Sequence, residues 1–227
     1  MLDPRRNTSA GGERKARRDR RLMNGRLQFR SWMLDNWARM TLPLAVLLLC
    51  SLPIFLTADN MSLILLYTML PVYMIHQYEE HAHGRFVAFV NSVVGKGYEI
   101  LTKAFAFWIN VLDVWLVFLV SFYLAKYVAI GFALVPIYLT VFNGVTHVIA
   151  SVVLRRYNPG LYTSLVLFFP WGVFLLAYFN GIIRANLLFN GIGILAGIAG
   201  HAVIVIPVLR KRNRLEPSTR RGFRSKP

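Results

Sequence analysis

A chain of 227 residues that is 56% hydrophobic and only 16% charged, with mean hydropathy +0.49, is too apolar for a soluble domain of its length, so a membrane is the first expectation. Its formal charge of +16 would suit nucleic acid, but residues 1–39 hold 11 of the 26 Lys and Arg and residues 210–227 hold 8 more. Two basic tails around an apolar body fit anionic lipid headgroups and a fixed orientation, and exclude a continuous nucleic-acid groove.

Residues 1–36 are basic and aperiodic and read as a disordered tail, with Trp32 and Trp37 near the membrane interface. Six apolar segments follow, at 38–57, 61–83, 104–128, 130–154, 161–181 and 187–209, each near the roughly 20 residues that a bilayer core requires. The first contains the only cysteine, Cys50, which excludes an intrachain disulfide and a thiolate metal cluster. No small-residue cleavage signal accompanies it, so the run reads as a retained span. Between the second and third segments, Phe86, Phe89, Val90, Val93 and Val94 recur at helical spacing and predict a short amphipathic helix in the interface, ending at Gly95-Lys96-Gly97, or alternatively an extension of the third span. Gly193 and Gly197 form a small-xxx-small pair in the last segment, a pattern that permits close helix contact. Residues 210–227 read as a second disordered basic tail. The expected architecture is all-α: a polytopic membrane helix bundle of about six transmembrane helices over residues 37–209. Placing both tails with Arg85, Lys96, Lys103, Arg155 and Arg156 inside leaves only Lys126 and Arg184 outside, which predicts cytoplasmic N- and C-termini.

Ionisable residues inside a membrane are expensive and mark candidate sites. In the second span His76, Glu79, Glu80 and His83 recur at i, i+3, i+4 and i+7, one face about 100° wide, while His81 points away. The third span offers Asn110 and Asp113, the fourth Asn143 and His147, the sixth His201. His76 precedes Arg85 by nine residues, His147 precedes Arg155 by eight, and His201 precedes Arg210 by nine. At about 1.5 Å per residue, three spans therefore present imidazole at one depth, roughly 12–14 Å above their arginine-marked ends. The bland alternative for Glu79 and Glu80 is a salt-bridged helix end facing Arg85.

The run His76-Gln77-Tyr78-Glu79-Glu80 resembles the signature of the HXXEE domain family of small bacterial membrane proteins, and Asn143, His147, Tyr157-Asn158-Pro159-Gly160 and Pro170 resemble its second half. The resemblance covers roughly residues 40–210 and leaves both tails outside. It implies a multispan helical protein of the bacterial plasma membrane with a suspected enzymatic role, and no settled substrate.

The chain has five histidines, too few for the histidine boxes of membrane hydroxylases and desaturases. A paired Glu-x-x-His di-iron set and both zincin motifs are absent. A mononuclear site remains, with His76, Glu80, His147 and His201 as candidate ligands to one divalent metal, zinc ahead of iron. Glu79, Glu80, Asn143 and Asp113 are the candidate catalytic or ligand-orienting groups. The leading expectation is a metal-dependent enzyme acting on a lipid or isoprenoid-like substrate, with membrane lipids as its surroundings and no nucleic-acid partner. The alternatives are a metal-free acid-base isomerase or cyclase using Glu79 and Glu80, and a small carrier or proton relay.

Overall fold

The computed structural model describes residues 5–55 and 60–224, and among these every regular element is helical. Helix α1 runs Arg5–Phe55 and α2 runs Met61–His81. A 3-10 turn, Ala82–Gly84, leads into α3, Arg85–Phe89, which continues as a π-helical turn, Val90–Val94. Helices α4, Lys103–Ile109, and α5, Leu116–Tyr127, are joined without a break through the π-helical turn Asn110–Trp115. Helix α6 runs Leu134–Leu154, and α7, Leu161–Thr163, passes through the π-helical turn Ser164–Phe168 into α8, Phe169–Ile182. Helix α9 runs Leu187–Arg224.

Among the described residues, five helical stretches are long and apolar enough to cross a membrane: Arg20–Ile54, Lys103–Tyr127, Ile130–Leu154, Leu161–Ile182 and Leu187–Leu215. The second of the six expected spans, α2, is not among them, because His76, Gln77, Glu79 and Glu80 interrupt its apolar run. Its polar residues face inward: His76, Gln77, Glu80 and His81 are all buried, while α2 packs against α1, α5, α6 and α8. Elsewhere large apolar side chains cover the outer surface as well as filling the core. Leu47, Ile54, Val153, Val166, Leu187 and Leu195 are exposed, whereas His76, Gln77, Thr140, Asn158 and Ser164 are buried. An apolar surface this continuous marks contact with lipid.

Most of both basic stretches falls within the long terminal helices. The structure continues α1 back to Arg5 and α9 on to Arg224 as helix. Arg, Lys, Ala and Glu are good helix formers, and a spanning helix already provides the nucleus that an isolated tail lacks.

At Gly193 and Gly197 an added Cβ would run into Tyr138 and Phe142, so the small-xxx-small pair lets α9 close against α6. The 85–103 connection is held by its own contacts. Asn91 ties it together, accepting from the Ile100 and Leu101 amides at 2.9 and 2.8 Å and donating to the Leu101 carbonyl at 2.8 Å. Phe86, Phe89 and Val90 then form a wall of the central cavity.

Candidate metal centre

Helix α2 places His76 and Glu80 one turn apart on its buried face, and α6 brings His147 across to meet them. Glu80 Oε2 lies 3.5 Å from His76 Nε2, and Glu80 Oε1 lies 3.5 Å from His147 Nε2. The two imidazole centroids are 4.9 Å apart. One ligand atom from each of the three residues falls within 4.8 Å of the others, so the group could hold a metal ion. Glu80 stands from each imidazole at a distance that two bonds of about 2.0–2.2 Å can bridge.

The outer nitrogens decide what the inner ones can do. Asn158 spends its Nδ2 hydrogens on the His147 carbonyl and Ser151 Oγ, each at 2.8 Å. Its Oδ1 therefore accepts from His147 Nδ1–H, at 2.5 Å. Thr163 Oγ1 lies 2.8 Å from His76 Nδ1 and has two acceptors for its own hydrogen, Glu79 Oε2 at 2.5 Å and the Gly160 carbonyl at 3.3 Å. The hydroxyl donates to one of these and accepts from His76 Nδ1–H. Both Nε2 atoms are then left with lone pairs facing Glu80. His76 Nε2 is fully buried with no hydrogen-bond partner, an arrangement that a cation would satisfy.

Glu79 has a different task. Its two oxygens accept from the Tyr157 hydroxyl at 2.7 Å, the Tyr162 amide at 3.1 Å, the Thr163 amide at 2.7 Å and the Thr163 hydroxyl, so it pins the 157–163 loop beneath the imidazoles. The Tyr157 hydroxyl is pushed well above its ordinary range, first by burial and then by the Glu79 carboxylate to which it donates. Neither glutamate pairs with Arg85, which instead donates to the carbonyls of Tyr78 and Ala82 at the end of α2. Gly160 closes the loop at φ 98, and a Cβ there would stand 2.6 Å from His147 Cε1 and 2.8 Å from His76 Cε1. Only glycine permits this backbone to approach both rings.

The helical-wheel reading set His81 apart from this face, yet the structure places its Nε2 3.0 Å from Glu80 Oε2 and 3.1 Å from Asn110 Nδ2. Glu80 is long enough to reach either neighbour at the last turn of α2. The Asn110 amide is oriented from a distance: the Trp115 indole donates to Gln77 Oε1 at 2.9 Å, and Gln77 Nε2 donates to Asn110 Oδ1 at 2.8 Å. Gln77 and Trp115 were not expected at the site. His83 falls outside α2 altogether, because the helix ends at His81 and the i+7 extrapolation fails there.

Three expected site residues stand outside the group of three, and two of them, Asn143 and His201, line the adjoining cavity. Asn143 does not orient an imidazole. It donates from Nδ2 to the Tyr73 hydroxyl at 2.5 Å and keeps a buried, unpartnered Oδ1. His201 is tied through Nδ1 to its own helix at the Gly197 carbonyl, 2.7 Å away, and Asp113 is close enough to interact with it electrostatically. Glu80, His147, Asn143 and His201 share one cavity of about 270 Å³, most of whose remaining wall is apolar. The residues that orient the imidazoles, Asn158 and Thr163, were not singled out for that role, although the Tyr157-Asn158-Pro159-Gly160 run was visible in the sequence.

No curated protein and no solved structure matches the chain. A family model described as a protein of unknown function with HXXEE motif matches residues 67–175. That segment contains His76, Glu79, Glu80, His147, Asn158, Gly160 and Thr163, so the group of three and the loop that supports it all lie in the part of the chain that matches the HXXEE family model.

Proposed function

We propose that this protein is a membrane-embedded, metal-dependent enzyme whose single ion is held by His76, Glu80 and His147, and that it acts on a lipid or isoprenoid-like substrate. The observation that carries the reading is the pair of imidazoles whose Nδ1 atoms are committed to Thr163 and Asn158, leaving both Nε2 atoms aimed at one carboxylate. Two histidines and a glutamate suit zinc with an open position, and also iron(II). A bound ion would supply a Lewis acid for a carbonyl or phosphoryl oxygen. The chain's own residues supply the rest. Thr163 and Asn158 hold the ring orientations, Gly160 and Phe168 cover the imidazoles, and the apolar cavity beside Glu80 and His147 excludes water and suits a hydrocarbon chain. The asymmetry of Lys and Arg supports cytoplasmic termini, which puts the site in the cytoplasmic half of the membrane.

Elemental analysis of detergent-purified protein tests the centre. One equivalent of zinc or iron is expected in the wild type and in His201→Ala, and less than a tenth of that in His76→Ala and His147→Ala. A metal-free wild type would overturn the reading. It would favour acid-base chemistry instead, for which the specific support is the imidazole-carboxylate contact of His81 with Glu80.

A further inference from the structure

A second cavity, of about 290 Å³, lies between α1, the turn after α2 and the start of α4. Its walls carry Arg39, His83 and Lys103, a concentration of nitrogen donors that the metal centre does not use. Lys103 Nζ is held by Asp35 Oδ1 at 2.5 Å, so one cation is already matched. Arg39 is not. Among the described residues its guanidinium donates only to neutral acceptors, His83 Nδ1 at 2.7 Å and Asn36 Oδ1 at 3.2 Å. Since arginine can only donate, His83 Nδ1 accepts, and the hydrogen of the neutral ring is on Nε2. His83 makes this contact from a backbone at φ 62, and Gly84 follows at φ 70. Left-handed non-glycine residues are uncommon and cluster at ligand-binding turns.

The two cavities meet at two residues. His81 and Ala106 line both. The His81 ring is sandwiched between Trp37, in the wall of the cationic cavity, and Phe86, in the wall of the apolar one, with centroids 5.1 Å away on each side. A polar, cationic chamber therefore adjoins an apolar chamber that contains Glu80 and His147, with a partition one imidazole thick. That is the layout of a site for an amphiphile with a small anionic head. Arg39, Lys103 and His83 offer three donor groups, which match the three oxygens of a phosphate monoester better than the two of a carboxylate, and the guanidinium fork suits such an oxyanion.

We propose that the Arg39 cavity binds the phosphate head of a lipid phosphate whose chain occupies the cavity beyond His81. This rests on the enzyme reading above for the role of the apolar cavity, and it adds the class of substrate. Arg39 is the principal headgroup contact, and the His83-Gly84 turn keeps it aimed into the chamber.

Calorimetric titration of the full-length protein in lipid nanodiscs of phosphatidylcholine tests this, with dodecyl phosphate, dodecanol and inorganic phosphate as probes. Dodecyl phosphate should bind at least tenfold more tightly than either of the others. Arg39→Gln should weaken dodecyl phosphate by tenfold or more and leave dodecanol unchanged, Arg39→Lys should recover part of the loss, and Lys126→Gln, outside both cavities, should match the wild type. Equal binding of dodecyl phosphate by wild type and Arg39→Gln would overturn the proposal. So would inorganic phosphate binding as tightly as dodecyl phosphate, which would identify a free anion as the occupant. Metal content separates this from the centre itself: Arg39→Gln should retain the full metal equivalent, which also shows that the variant is folded. Arg39-dependent binding by a metal-free wild type would leave the headgroup site standing while removing the metal.

Discussion

Gly160 is constrained twice, by its backbone conformation and by the two imidazoles it faces. Gly160→Ala would drive a Cβ into both imidazoles from a backbone at φ 98, so we expect at least a tenfold loss of metal affinity and a destabilisation of about 1–3 kcal/mol, read by metal titration and thermal unfolding. Asn158→Ala and Thr163→Val remove the groups that fix the imidazole tautomers without touching a ligand. Each should weaken metal binding by about 10–100-fold, the usual effect of losing a partner behind a ligand, while the fold persists. A change in stability with no change in metal affinity would show that these contacts serve packing alone. Tyr157 carries a pH signature. Its proton is held more tightly in the folded chain, so its contribution is complete below the ordinary tyrosine range and is lost as pH rises above about 10. Tyr157→Phe should lose less stability between pH 9 and pH 11 than the wild type, in denaturation curves compared at the two values.

At the scale of elements, the site is the meeting of α2 and α6 over the loop that leads into α7. Glu79 holds that loop through four hydrogen bonds, two of them from backbone amides. Glu79→Gln keeps the shape but turns one acceptor into a donor. Leaving a donor unmatched costs about 1–3 kcal/mol, so the variant should show increased protease cleavage between residues 155 and 163 together with weaker metal binding. Cleavage unchanged from wild type would mean that the loop is held by other contacts. The π-helical turns also matter at this scale. The turn at Asn110–Trp115 aims Asn110 and Trp115 at Gln77, and the turn at Ser164–Phe168 sets Phe168 against His76 with ring centroids 4.2 Å apart. Each changes the angular register of its helix, which a constant 100° step cannot anticipate.

For the whole molecule, the exposed apolar surface and the buried polar centre describe one arrangement seen from its two sides. A chain that keeps Leu, Ile and Val outward requires lipid around it, and its few polar side chains are then matched to one another inside. Topology is the prediction at this scale. With both termini cytoplasmic, a single cysteine placed at Arg184 or Lys126 in a Cys50→Ser background should react in intact cells with a membrane-impermeant maleimide, and one placed at Arg85 should react only after permeabilisation. Labelling of the Arg85 position in intact cells would reverse the orientation.

The sequence by itself determined the helical class, the apolar segments, the distribution of basic residues and the placing of His76, Glu79 and Glu80 on one helix face, because these depend on composition and on one helix's period. Matching depth also brought His147 forward as a partner from another span, and the structure joins it to His76 and Glu80. Tertiary structure alone decided that Glu79 faces the loop while Glu80 faces the imidazoles. Neighbouring residues on a helix differ by only 100°, and what lies opposite each one depends on segments distant in sequence. The same holds for Asn158, Thr163 and Gly160, which lie in and beside a loop with no period to read. It also holds for His81, whose role depends on Trp37 of α1 and Asn110 of the π-helical turn after α4. Periodicity reports which way a side chain leaves its own helix, and packing decides what it meets.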